Sequence, residues 1–135
     1  METFTKHILI VDDDEDDRHL IKQALHQCII PVQIAELTDG MDIISYLDAC
    51  PELLRPSLVL LDLNMPVVNG FEALNEIKKH PQHTALPVYV FSTSNSLRDK
   101  QHCIRLGALD VLVKPPSYSG WVDILCPIID KRKTA

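Results

Sequence analysis

The 135-residue chain lacks the features that mark exported and membrane-inserted proteins. No apolar run approaches the ~20 residues that a membrane-spanning helix needs. The N-terminus, METFTK, has no apolar segment like that of a secretory signal. No C-x-x-C pair occurs among the four cysteines, so we expect reduced and mostly buried thiols. These absences predict a cytoplasmic protein without a membrane partner.

Clustered basic residues are almost absent as well. The only such cluster is Lys131-Arg132-Lys133 near the C-terminus, and the formal net charge of the chain is −6. Since binding to a phosphate backbone requires clustered Lys and Arg, the sequence predicts no direct contact with nucleic acid. The length suits one domain, which we expect to span residues 1–135 with its core at about 6–130.

Short apolar runs alternate with segments of helical periodicity along the whole chain. The predicted strands cover residues 8–11, 32–37, 57–61, 87–91 and 109–113. Helical patterns follow them at residues 20–28, 43–47, 71–77, 96–106 and 121–129, and Gly107 is the expected C-cap of the fourth. This (βα)5 pattern predicts an α/β fold with a doubly wound parallel five-stranded sheet. Right-handed crossovers favour the flavodoxin-like strand order 2-1-3-4-5.

Six consecutive acids, from Asp12 to Asp17, follow directly on the first apolar run. Because like charges repel, a compact domain keeps them adjacent only with a cation, a helix N-terminus or solvent beside them. Asp12 and Asp13 end the predicted first strand, so we expect them to be the metal-binding part of the run. We expect residues 14–17 to form only the exposed first turn of helix 1, stabilised by the helix dipole.

Polar side chains also stand at the ends of the other predicted strands. The residues are Asp12-Asp13 after strand 1, Asp62 after strand 3, Ser92-Thr93 after strand 4 and Lys114 after strand 5. In a 2-1-3-4-5 sheet these strand ends are neighbours, so the groups converge on one cleft. The carboxylates are hard oxygen ligands for Mg²⁺, and the lysine and hydroxyl suit phosphoryl oxygens. A carboxylate can itself attack phosphorus and form an acyl phosphate.

In these motifs the chain resembles the receiver domain of two-component response regulators. The residues that carry the resemblance are Val11-Asp12-Asp13, the stretch from Leu61 to Gly70 (LDLNMPVVNG), Ser92-Thr93 and Lys114-Pro115. Their order and spacing agree with the family from about residue 6 to residue 129. The resemblance implies a stand-alone receiver, which is a phosphorylation switch and not an enzyme beyond its self-catalysed phosphorylation and dephosphorylation.

The resemblance also implies a role for each site residue. Asp62 would accept the phosphoryl group from a histidine kinase or phosphotransfer protein. Mg²⁺ would be held by Asp13 directly, by Asp12 through water, by Asp62 and by the backbone carbonyl of Asn64. Ser92 would be the switch hydroxyl and Lys114 the partner of the phosphoryl oxygens. The Lys114–Pro115 peptide bond is expected to be cis, an isomer that is accessible at low cost only before proline.

Signalling in this family implies altered binding of a downstream protein at the surface of the fourth helix, fifth strand and fifth helix. Val111 departs from the family pattern there, because many receivers carry a Tyr or Phe three residues before the lysine. Thr93 stands where a small residue is usual, and Pro116 adds a second proline after Lys114.

Two alternative functions stay open. One is a receiver-like protein-binding module that works without phosphorylation, which Val111 favours. The other is a small Mg²⁺-dependent phosphohydrolase, against which the lack of a well-placed acid or base in the cleft argues. His80 and His83 lie near Pro81 in a predicted loop, and we do not expect them to be metal ligands.

Overall fold

Five strands build the sheet of this protein. The computed structural model describes residues 5–65 and 69–131. The strands are β1 (Lys6–Val11), β2 (Val32–Leu37), β3 (Leu58–Asp62), β4 (Val88–Ser92) and β5 (Asp110–Val113). All pairs are parallel and the order is β2-β1-β3-β4-β5, which confirms the predicted topology. The predicted strand bounds are wrong by no more than a residue or two at either end.

Five helices cover the two faces of the sheet. They are α1 (Glu15–Leu25), α2 (Ile43–Ala49), α3 (Gly70–Lys79), α4 (Leu97–Leu106) and α5 (Tyr118–Ile129). Two short 3₁₀ turns, Gly40–Asp42 and Glu52–Leu54, precede and follow α2. None of the described helices has the length and apolar character needed to cross a membrane.

Each face of the sheet has its own apolar core. On β1, Leu9 and Val11 face one cluster while Ile8 and Ile10 face the other, as alternation along a strand requires. The first cluster includes residues of α2, α3 and α4, and the second includes residues of α1 and α5. Because both faces are covered, β3 is buried at every position, which explains its continuous apolar sequence.

Side chains at the helix N-termini fix where α1, α3, α4 and α5 begin. Asp14, Asn69, Ser96 and Ser117 are the N-caps, and each side chain accepts a hydrogen bond from a backbone N–H of the first turn. At the other end of α4, Gly107 has φ 111° and caps the helix in the left-handed conformation, as predicted.

Three details differ from the sequence predictions. Helix α1 ends at Leu25, so Cys28 lies beyond it and not within it. Only Cys103 of the four free cysteines is buried, and the other three are half-buried. The described backbone contains no cis peptide bond, so the expectation for Lys114–Pro115 is wrong. The trans isomer is the lower in energy for a peptide bond before proline.

Candidate functional site

The carboxyl ends of β1, β3, β4 and β5 bring four polar side chains to one edge of the sheet. Asp12 follows β1, Asp62 ends β3, Ser92 ends β4 and Lys114 follows β5. Since the strands are parallel and adjacent, the predicted convergence of these residues is confirmed. Asp12 and Asp62 are only 2% and 3% exposed, and Ser92 is buried as well.

Three carboxylates form the acidic part of the site. One oxygen each of Asp12, Asp13 and Asp62 lie within 4.8 Å of one another, and only Asp13 is exposed. Such an arrangement offers hard oxygen ligands at one point, open to solvent on the Asp13 side. The donor set therefore suits a divalent cation of the Mg²⁺ or Mn²⁺ type.

Lys114 is the cation that faces these acids. Its Nζ lies 3.0 Å from Asp12 Oδ2, 3.4 Å from Asp62 Oδ1 and 2.7 Å from Asp17 Oδ2. The shortest of the three contacts is to a residue of the acid run that we expected to be only a solvated helix turn. Asp17 is 25% exposed and belongs to the site. Lys114 contacts three carboxylates, and Asp13 is a fourth in the cluster, so the cluster keeps an excess of negative charge.

Burial and mutual repulsion weaken the ionisation of the acids. The pKa of Asp12 is raised from 3.8 to about 6, chiefly by burial and also by the charge of Asp62, while the hydrogen bond from the Asp14 N–H and the charge of Lys114 oppose the shift. Burial also raises the pKa of Asp62, although the hydrogen bond from the Asn64 N–H and the charge of Lys114 act to lower it. Burial alone would lower the pKa of Lys114, but its carboxylate partners, led by Asp17, outweigh this and raise it.

Asn64 connects the end of β3 to the end of β4. Its backbone N–H donates to Asp62 Oδ1 at 3.0 Å. Its side-chain Oδ1 accepts hydrogen bonds from the Thr93 N–H at 3.1 Å, the Thr93 hydroxyl at 3.3 Å and the Ser92 hydroxyl at 3.4 Å. The Ser92 oxygen in turn accepts from the Ser94 N–H at 3.1 Å. The predicted role of the Asn64 carbonyl as a metal ligand stays a prediction.

Gly70 allows α3 to start directly against the end of β3. Its N–H donates to the Leu63 carbonyl at 2.9 Å. A Cβ atom at this position would lie 2.5 Å from Leu63 Cα and 2.8 Å from the Asp62 carbonyl oxygen. Only glycine fits this contact, which sets the backbone that carries Asp62. Pro66, Val67 and Val68 of the predicted motif lie outside the described residues.

The predicted output surface is formed by α4, β5 and α5. Val111 of β5 is half-buried, pairs with Val90 of β4, and packs against the core cluster that includes α2, α3 and α4. A valine in this place offers no ring that could turn between buried and exposed positions. Binding of a downstream protein at this surface stays a prediction.

Fold and site together define a class of protein: a parallel α/β domain with an acidic cluster and a lysine at the carboxyl edge of its sheet. The chain matches the model of the response regulator receiver domain over residues 8–123, and it belongs to that family. The family is one of signalling receivers and not a conventional enzyme family.

Similar proteins extend this assignment. Response regulator Rcp1 of Synechocystis sp. is 37% identical over 97 residues, which are 70% of this chain and 66% of Rcp1. The aligned sequence thus spans just under two thirds of the length of Rcp1. The phosphorylated cyanobacterial phytochrome response regulator RcpA superposes with a TM-score of 0.83 at 35% identity, covering 94% of this chain and 93% of RcpA. The Mn²⁺-bound form of Rcp1 gives a TM-score of 0.79 at 32% identity, covering 91% of both chains.

Proposed function

We propose that this protein works in the cytoplasm as a stand-alone response regulator, phosphorylated on Asp62 by a histidine kinase or phosphotransfer protein. The observation that carries the proposal is the burial of Asp62 between an acidic pair and Lys114. Kinship with a phosphorylated response regulator, RcpA, supports the same role. Interaction with histidine kinases or phosphotransfer proteins is what receivers of this family have in common.

We propose Mg²⁺ as the cofactor, held by Asp12, Asp13, Asp62 and the backbone carbonyl of Asn64. The proposal is supported by the convergence of three carboxylate oxygens and by the Mn²⁺ in the related Rcp1 structure. The excess negative charge beside Lys114 favours a cation of this kind. When bound, the ion would neutralise charge on the carboxylates and on the incoming phosphoryl group.

Asp62 is the nucleophile in this proposal. In the described part of the chain the Asn64 N–H donates to Asp62 Oδ1, and Lys114 Nζ forms an ion pair with the same oxygen at 3.4 Å, which leaves Oδ2 to attack. A bond forms between Oδ2 and phosphorus while the phosphorus–nitrogen bond of the phosphohistidine breaks. The electron pair of that bond leaves with the imidazole. Lys114, held by Asp12 and Asp17, is placed to pair with a phosphoryl oxygen.

Ser92 is the group that reports the phosphorylation. Its hydroxyl is held at 3.4 Å from Asn64 Oδ1, which is a weak hydrogen bond. A phosphoryl oxygen on Asp62 would be a stronger, charged acceptor and would draw this hydroxyl towards itself. The movement would displace residues 93–96 between β4 and α4 and change the surface of α4, β5 and α5. The same site would hydrolyse the acyl phosphate slowly, since no histidine or glutamate among the described residues contacts Asp62 or Lys114 to act as acid or base in that step.

The test is phosphorylation with acetyl phosphate in the presence of Mg²⁺, read by intact-protein mass spectrometry. We expect the wild type to gain one base-labile phosphoryl group and Asp62→Asn to gain none. Asp42→Asn, at an exposed position outside the site, is the matched control and should react like the wild type. An unmodified wild type, or equal modification of the Asp62→Asn variant, would contradict the proposal.

A phosphorylation-independent binding module is the second candidate, and Val111 is the observation that favours it. Valine has no ring that could rotate and so carry a movement of Ser92 to the surface of α4, β5 and α5. Partner capture by the wild type and by Asp62→Asn, each with and without phosphodonor, separates the two functions. Capture that is equal under all four conditions would support the second candidate over the first.

A further inference from the structure

Three side chains of types that can bind a metal ion lie together at the edge of the sheet opposite to the acidic site. Asp48 is in the last turn of α2, His80 follows the last residue of α3, and His83 lies in the loop before β4. One carboxylate oxygen of Asp48 and one ring nitrogen of each histidine lie within 4.8 Å of one another. Nothing in the proposed phosphorylation chemistry uses these residues.

Backbone hydrogen bonds hold the two histidines in fixed positions. The N–H groups of His83 and Thr84 both donate to the His80 carbonyl at 2.9 Å, and the Leu86 N–H donates to the His83 carbonyl at 3.0 Å. Lys78 closes the loop from the side, with its Nζ donating to the carbonyls of Thr84 and Leu86 at 3.0 and 2.6 Å. These backbone contacts bring the two imidazole rings together, with centroids 5.5 Å apart.

Exposure differs across the three groups in a way that suits a metal ion. The His83 side chain is only 4% exposed, and its Nε2 lies 2.7 Å from Asp48 Oδ1. The Asp48 side chain is 47% exposed and His80 is half-buried. The cluster therefore has a buried base and an open outer side, through which an ion could enter and keep a water molecule.

We propose that Asp48, His80 and His83 bind a divalent transition metal, with Zn²⁺ as the best-fitting ion. Two imidazoles and one carboxylate suit Zn²⁺, whereas the all-carboxylate cluster at the other edge suits Mg²⁺. The ion lies between His83 Nε2 and Asp48 Oδ1 and replaces their direct contact, and the ring proton of His83 is then on Nδ1. Solvent supplies the fourth ligand.

Closing the site around the ion requires only small movements. Ligands at about 2.0–2.2 Å from one tetrahedral ion stand about 3.4 Å apart, so a spread of up to 4.8 Å must contract by up to about 1.4 Å. Asp48 and His80 make these movements, since their side chains are the more accessible. Asp48 Oδ1 moves about 0.7 Å away from His83 Nε2, from which it is 2.7 Å distant, and His80 moves inwards. His83 is already fixed by its surroundings.

Competition between the protein and a chromophoric chelator for Zn²⁺, with excess Mg²⁺ to occupy the acidic site, measures the affinity. We expect His80→Gln and Asp48→Asn each to weaken Zn²⁺ binding at least about tenfold. His19→Gln is the matched control, because His19 is an exposed histidine on α1, and it should bind like the wild type. The double variant Cys28→Ser/Cys126→Ser should also bind like the wild type. That control is needed because Cys28 and Cys126 lie beside Asp130 as another group of possible ligands.

NMR of the wild-type imidazoles gives a second reading that does not depend on any variant. We expect Zn²⁺ to shift the ring nitrogen resonances of His80 and His83 and to leave those of the other four histidines in place. Three results would overturn the proposal: no Zn²⁺ binding by the wild type, unchanged binding by folded His80→Gln, or binding that disappears in the cysteine double variant. Unshifted His80 and His83 resonances at saturating Zn²⁺ would overturn it as well.

Discussion

The metal-free protein should become more stable as the pH falls from neutral, and Asp12 is the reason. Its carboxyl group is buried beside Asp62, which raises its pKa from 3.8 to about 6. Between these two values the folded protein binds a proton at Asp12 that the unfolded chain does not bind. Stability therefore decreases as the pH rises through this window.

The size of the pKa shift of Asp12 determines how much the free energy of unfolding changes. A difference of about two units, at about 1.4 kcal/mol for each unit, corresponds to up to about 3 kcal/mol of unfolding free energy. The stabilising contribution of the protonated group is complete below about pH 4 and is lost above about pH 6. Above that pH, ionised Asp12 lowers the stability of the metal-free protein by the full amount.

Urea unfolding in EDTA, followed by the fluorescence of the single tryptophan, Trp121, measures this effect. We expect Asp12→Asn to be more stable than the wild type by about 2–3 kcal/mol at about pH 7.5, with the difference vanishing near pH 4. Comparison with the variant removes the titration of every other group. Saturating Mg²⁺ should stabilise the wild type more than the variant, because the variant has lost a ligand.

Two results would refute this reasoning. The first is a difference between Asp12→Asn and the wild type that stays the same at both pH values, since a packing effect would not titrate. The second is a variant that is less stable than the wild type in EDTA at neutral pH. That result would mean that the ion pair between Asp12 and Lys114 outweighs the burial of the carboxylate.

Three further predictions follow from individual contacts. Asp17→Asn should weaken Mg²⁺ binding about two- to fivefold in calorimetry, because Lys114 then neutralises the remaining carboxylates more fully; unchanged affinity would contradict this. Gly70→Ala should lower the free energy of unfolding in urea by about 1–3 kcal/mol, since its Cβ would overlap backbone atoms of Asp62 and Leu63. An unchanged free energy of unfolding would refute the close contact. Trp121→Phe should lower the free energy of unfolding by less than about 1 kcal/mol, because the buried indole N–H has no hydrogen-bond partner in the described part of the chain. Trp121→Ala should lower it by about 3–5 kcal/mol, because the side chain is fully buried. Equal losses in both variants would argue against this account.

The fold could be predicted because its signals are local. Four strands contain a short apolar run, β2 alternates between apolar and polar residues, and the helices have apolar stripes, so the alternation of strands and helices is visible without any long-range information. The end of α1 could not be predicted from such local signals. Cys28 continues the apolar spacing of the helix, but His26 already serves as its C-cap, and Cys28 packs against the core from the following turn.

The site could be predicted only as far as strand ends determine it. Asp12, Asp62, Ser92 and Lys114 each lie at or just after the end of a strand, so the topology alone brings them together. Asp17 reaches Lys114 across 97 residues of sequence, from the first turn of a helix, and no periodicity indicates that contact. The contact between Asp48 and His83 spans 35 residues of sequence, and no periodicity indicates it either.

The acid run now divides by function along its length. Asp12 and Asp13 converge with Asp62, Asp14 caps α1 by accepting the Asp17 N–H at 3.1 Å, and the Asp17 carboxylate holds Lys114. The helix therefore turns one acid of the run back towards the site while it exposes its neighbours. This explains why a single lysine can lie among four carboxylates and still leave negative charge for a metal ion. With Asp17 absent, Lys114 would be shared by fewer acids, and the site would attract a cation less strongly.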